Sequence, residues 1–210
     1  VHTDTSKLTD LRDVLQTTFH ARLLSRKSDS VGLHPVLSIV PAFGYSLQSR
    51  LAVLISGNVA FRTAPQSNVS TFVSSIAYTQ NKQVTLPIQS SIWSKNNNYD
   101  FVGEIRLYHY PQATFGLGSN SDIENQAPMN YNYVRFSEVA LRHIAGNFYL
   151  GGGYMVDYHA DITIGPTENG TVSDYLIYRR KSTKTHSTSS GFTLNGQFDD
   201  RDSPINPTSG

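Results

Sequence analysis

The sequence predicts an all-β protein, an antiparallel β-barrel that crosses a membrane, and three observations lead there. From Val36 onward apolar residues recur at every second position, the period of a strand with one greasy and one wet face. Most of the strand-like segments run 10 to 14 residues, whereas strands of globular domains average about 5 to 6 and membrane-spanning ones need about 9 to 11. No run approaches the roughly 18 consecutive apolar residues of a spanning helix, so a bilayer can be crossed only by strands, whose backbone groups satisfy one another.

Taken in order, the chain opens on a different period. Leu8, Leu11, Val14, Leu15, Phe19 and Leu23 recur at helical spacing, with Thr9 or Asp10 placed to cap and Arg22, Arg26 and Lys27 near the end that favours cations. Asp10 to Leu24 is therefore expected to be one amphipathic helix, either a cap, plug or interface-lying helix or one packed on its own domain. With the linker Ser25 to Pro35 it forms an N-terminal unit, 1–35, ahead of a barrel over 36–210. About eight strands are expected there, near 36 to 46, 50 to 62, 70 to 80, 83 to 95, 99 to 110, 132 to 145, 147 to 160 and 190 to 199.

The faces of these segments differ in solvent preference. In the second, Leu51, Val53, Ile55, Val59 and Phe61 oppose Ser56, Asn58 and Arg62; in the fifth, Phe101, Ile105 and Leu107 oppose Glu104 and Arg106; in the seventh, Phe148, Leu150, Tyr154 and Val156 oppose Gly151, Gly153 and Asp157. One side suits lipid and the other a lumen. A one-sided soluble sheet gives the same alternation, which leaves a β-sandwich as the alternative. Glu104 with Arg106, Glu138 with Arg142, and Asp157 are expected to face the lumen. They could be an acid/base site, but a barrel interior must satisfy its inward polar groups with one another or with water, and opposite charges across strands do that.

Composition narrows the function. A formal charge of +1 argues against nucleic acid as a partner, which calls for a basic surplus. Cysteine is absent, so disulfides and thiolate chemistry are out, and the seven histidines show no zinc-binding spacing. Neither a nucleophile elbow nor a phosphate-binding glycine loop occurs; Gly151, Gly152 and Gly153 lie inside a strand, where close backbone approach or a bend is the expected reason. No catalytic, cofactor or metal residue is assigned, and the protein is not expected to be an enzyme. The 12 tyrosines and 10 phenylalanines suit the aromatic girdles of a barrel, though also a sandwich core.

The final stretch, Phe198 to Gly210, closes a strand and turns. Pro204 and Pro207 fix φ, Asn206 caps itself and Gly210 tolerates positive φ. The run Asp199-Asp200-Arg201-Asp202 followed by Asn206-Pro207-Thr208-Ser209-Gly210 resembles the turn of the bacterial surface antigen family, the outer-membrane barrels that include barrel-assembly and polypeptide-secretion translocators. Pro41-Ala42-Phe43-Gly44-Tyr45-Ser46 is similar to that family's first barrel strand. Tyr78-Thr79-Gln80-Asn81-Lys82-Gln83 and Tyr110-Pro111 with Phe115-Gly116-Leu117-Gly118 follow in the family's order. At the turn itself, Arg201 either lies clamped between carboxylates or marks where a partner strand docks.

The resemblance implies the outer membrane of a Gram-negative bacterium, with lipid and lipopolysaccharide as surroundings and other envelope proteins or polypeptide substrates as partners. It implies insertion or translocation of polypeptides by strand exchange at the barrel seam. The chain departs from the translocating members in having about 35 residues, not a string of polypeptide-transport domains, ahead of the barrel. An accessory or structural barrel subunit or a passive pore is therefore the alternative. No terminal aromatic strand follows Gly210, so the barrel is expected to be incomplete within this chain. Long connections after the fifth and seventh segments, Pro111 to Tyr131 and Asp161 to Ser189, and short ones after the sixth and eighth place the long loops outside the cell and the N-terminus in the periplasm. Arg179, Arg180, Lys181 and Lys184 in the second long loop could meet lipopolysaccharide or be merely solvated.

Overall fold

The structure, a computed structural model, describes residues 33–116, 119, 121–167 and 185–200. They form one antiparallel sheet from β1 (Val36–Ser46), β2 (Arg50–Arg62), β3 (Val69–Thr79), β4 (Val84–Trp93), β5 (Tyr99–His109), β6 (Gln112–Thr114), β7 (Ala127–Ala145), β8 (Phe148–Ile164) and β9 (Ser187–Phe198). The strands follow one another as a meander, β1-β2-β3-β4-β5-β7-β8-β9, with the short β6 paired to the start of β7. Most strands pair with their neighbour in the chain through short turns, several of which bring one residue into left-handed backbone. Arg50, Lys82 and Asn97 take φ of 58°, 62° and 56°, and Gly146 takes 56° in the tight β7–β8 turn.

The all-β antiparallel expectation holds, and the predicted segments coincide with β1 and β2 and fall within a few residues of β3, β4 and β5. Three differences have identifiable causes. β7 begins at Ala127, not 132, since β6 rises out of the expected long loop and covers it, pairing Gln112 with Met129 and Ala113 with Pro128. Pro128 falls inside the expected long connection Pro111 to Tyr131, but it sits at the strand's start, where a missing N–H is tolerated. β8 runs on to Ile164 against that same extension, and β9 begins at Ser187 in a serine-rich run that has no alternation to reveal it. The sheet is not closed into a barrel: among the described residues β1 pairs only with β2, and β9 only with β8. The helix expected over Asp10 to Leu24 lies outside the described residues, which include no α-helix, only a 3-10 turn at Ile123–Asn125.

The sheet coils toward one face. A Cβ on Gly151 would lie 1.9 Å from the Ala140 carbonyl oxygen, and one on Gly153 2.6 Å from that of Glu138. Only glycine lets β8 press this closely on β7, the close approach expected of the glycine run, which Gly151 and Gly153 show and Gly152, facing outward, does not. On this inner face Trp93, Leu141 and Tyr149 are buried, with Val102 and Val139 packed against them. Trp93 and Tyr149 meet edge to face at 5.2 Å, a contact that contributes about 0.5–1.5 kcal/mol beyond its area. Asp100 on β5, only 1% exposed, accepts hydrogen bonds from Ser91 Oγ at 2.9 Å and from Gln197 of β9. That contact bridges β7 and β8, so the inner face is concave.

Candidate functional site

Pair register sorts every strand residue onto one of two faces. On the outer face, neighbours across strands are Phe43 with Val53, Val53 with Tyr78, Ile55 with Ile76, and Val59 with Phe72. The same face continues through Ile92 with Phe101, Leu107 with Val134, Glu138 with Tyr154, and Tyr154 with Phe192. Nearly all of the exposed large apolar side chains of the strands lie here, including Ile55 at 51%, Leu107 at 40% and Phe192 at 90%. A contiguous apolar surface of this breadth is foreign to a monomer in water.

The inner face carries hydroxyls, amides and charges. Glu104 accepts from Arg106 Nε at 2.9 Å and Nη2 at 2.7 Å, and from Gln89 Nε2 at 3.2 Å across β4. Asp157 on β8 takes both ends of the Arg135 guanidinium, Nε at 2.7 Å and Nη2 at 3.1 Å, and the Tyr133 hydroxyl at 2.5 Å. Arg106 and Arg135 stand directly opposite each other. Each is neutralised by its own carboxylate, which relieves the repulsion that facing like charges would impose. Beside this network, Thr71, Gln89, Ser91, Glu104 and Ser137 line a cavity of about 400 Å³. Near one strand end the rings of Tyr108, Tyr133 and His159 follow one another at 5.8 and 4.6 Å. Asn58 Oδ1, also inward, is buried without a partner among the described residues.

Of the expected luminal residues, Glu104, Arg106 and Asp157 are brought together on the inner face, whereas Glu138 and Arg142 are not. Glu138 pairs with Gly103 and Tyr154, and Arg142 with Tyr99 and Leu150, which places both among the outer apolar residues and overturns the expectation for this pair. The cause is local: both parities of β7 mix apolar and polar residues, Val134 and Phe136 on one and Val139 and Leu141 on the other, so alternation within the strand does not identify the inner side. For the same reason the sequence missed Tyr133 and Arg135, which hold Asp157. The signal that finds them is their spacing of two, in register with Ser137 and Val139.

The turn motif is described only at its start. Asp199 N donates to Asn147 O at 3.1 Å, and Asp200 Oδ1 accepts from Asn147 Nδ2, tying the end of β9 to the β7–β8 turn. Arg201, Asp202, Asn206, Pro207 and Gly210 lie outside the described residues, as does the basic group Arg179 to Lys184. The connections from β5 to β7 and from β8 to β9 leave from the same end of the sheet, opposite the β7–β8 turn and the start of β1, as successive reversals of a meander require. No family model, curated protein or solved structure matches the chain.

Proposed function

We propose that this sheet is part of the wall of a bacterial outer-membrane β-barrel, its outer face against lipid and its inner face lining a polar lumen. The observation that carries this is the segregation of nearly all exposed Leu, Ile, Phe and Tyr of the long strands onto one face, opposite the bonded charges of β5, β7 and β8 on the other. Strand lengths of 10 to 19 residues agree with it. β1 and β9 run antiparallel, so closure needs either their mutual pairing or an even number of strands between them. The resemblance of Asp199 to Gly210 and of Pro41 to Ser46 to the surface antigen family supports a role in outer-membrane protein insertion or polypeptide translocation. An accessory barrel or passive pore is the second reading, favoured by the inner cavity beside Glu104, where Gln89, Ser91 and Ser137 stand among Val73, Val102 and Val139. Lipid and lipopolysaccharide would be the surroundings, and no catalytic step is assigned.

Extraction from membranes should require detergent, and unboiled samples should migrate differently from boiled ones on a gel. A stable monomer without detergent would overturn the membrane reading and support a soluble sandwich. Insertion of a test barrel into vesicles would separate the assembly role from that of a passive pore.

A further inference from the structure

Two charges interrupt the outer face, and one of them sits where a charge is most costly. Glu138 lies within β7 between Phe136 and Ala140, opposite Gly103 on β5 and Tyr154 on β8. It is exposed and makes no ion pair or hydrogen bond among the described residues. A Cβ built on Gly103 would stand 2.7 Å from Glu138 Oε2 and 2.7 Å from Ser90 Oγ, so both side chains lean over the bare glycine. Ser90, Gly103 and Glu138 thus make a polar notch across β4, β5 and β7, and Gly103 falls in the middle third of its strand.

Ionisable side chains at membrane depth are found paired or facing a cavity, and within this sheet Glu138 has neither arrangement. Arg142, nearer the end of β7, has a side chain long enough to carry its charge to the edge of a bilayer. Glu138 is too short and too central for that. We propose that the notch is a docking site for a bilayer-embedded segment of another polypeptide that presents a lysine or arginine to Glu138; this rests on the lipid-facing assignment of the outer face. The Glu138 carboxylate and the Ser90 hydroxyl fill the space over Gly103 side by side, so a partner cation meets both polar groups at once, and the carboxylate then gains a charge-assisted bond in a medium without water. A second copy of this chain does not fit. Copies in one membrane share an orientation, so a two-fold axis along the bilayer normal would set Glu138 against Glu138.

The test uses the protein reconstituted in phosphatidylcholine vesicles, with a donor dye at Phe72→Cys, which lies on the same outer row. Two polyleucine helical peptides carry the acceptor, one with a single central lysine and one without. Energy transfer should be several-fold above random mixing for the lysine peptide alone, and Glu138→Gln should reduce it to the level of the plain peptide. If that variant does not fold, as judged by heat-modifiable migration, Ser90→Leu fills the notch while leaving the carboxylate and should have the same effect. Equal transfer from the two peptides, or a lysine preference that survives both variants, overturns the docking site. Quenching of the donor by brominated acyl chains shows whether lipid contact holds; quenching by aqueous iodide instead would overturn the lipid-facing assignment itself.

Discussion

Alternate residues of the same strands build two surfaces that follow different rules. The outer face is uniform in character and poor in specific contacts: its side chains stand exposed beside one another, and any large apolar residue would serve. The inner face is specific, with Asp157 held by both Arg135 and Tyr133, Glu104 by Arg106 and Gln89, and glycines where β8 presses on β7. On the proposed lipid-facing reading the outer surface needs only chemical likeness, whereas a surface facing its own neighbours needs geometry. Glu138 is the exception that the outer face does not explain by itself.

The largest expected effect breaks the comparison most directly. Ile55→Arg and Leu107→Arg should each cost about 2–4 kcal/mol in a refolding titration into lipid, while Asn58→Arg and Glu104→Gln should cost much less. Equal costs on both faces would mean that neither looks at lipid.

Glycine substitutions sharpen the same contrast within three residues. Gly151→Ala puts a methyl into the Ala140 carbonyl and should cost about 1–3 kcal/mol. Gly152→Ala, outward, with its nearest neighbour at 3.6 Å, should stay within about 0.5 kcal/mol. Urea midpoints of the two folded variants check this, and a reversed order would place the close contact on the wrong face.

Within the inner face the two ion pairs should differ. Asp157→Ala strands a guanidinium and a hydroxyl together, and about 1–3 kcal/mol is expected. Glu104→Ala leaves a more exposed Arg106 to water, at about 0–1 kcal/mol. Comparable losses would show that the Tyr133 hydroxyl adds nothing.

The smallest perturbation tests orientation. Cysteines at Ser121, on the β5–β7 connection, and Lys95, on the β4–β5 turn, lie at opposite ends of the sheet, and the chain has no others. Ser121→Cys should label with an impermeant maleimide on intact cells, and Lys95→Cys only after the outer membrane is breached. The opposite result would invert the topology.

Much of this was legible in the chain. The period of two, the segment lengths and the turn residues located β1 to β5 closely, because hairpins between neighbours depend on local chemistry. The faces of β2 and β8 were legible because each strand has one plainly greasy side, and Glu104 with Arg106, two residues apart, share a face by period alone. β6 is too short to carry a period, and β9 begins in serines that show no preference.

By itself the sequence determined the antiparallel meander and the two-faced character of most strands, since both follow from alternation and short connections. The tertiary structure decided the rest: which side of β7 faces inward, that Arg135 and Tyr133 meet Asp157, and that Glu138 leans over Gly103 on the apolar side. A strand with mixed character on both faces takes its orientation from the neighbours it pairs with, and pairing register, with the close approach that Gly151 and Gly153 allow, depends on residues distant in the chain.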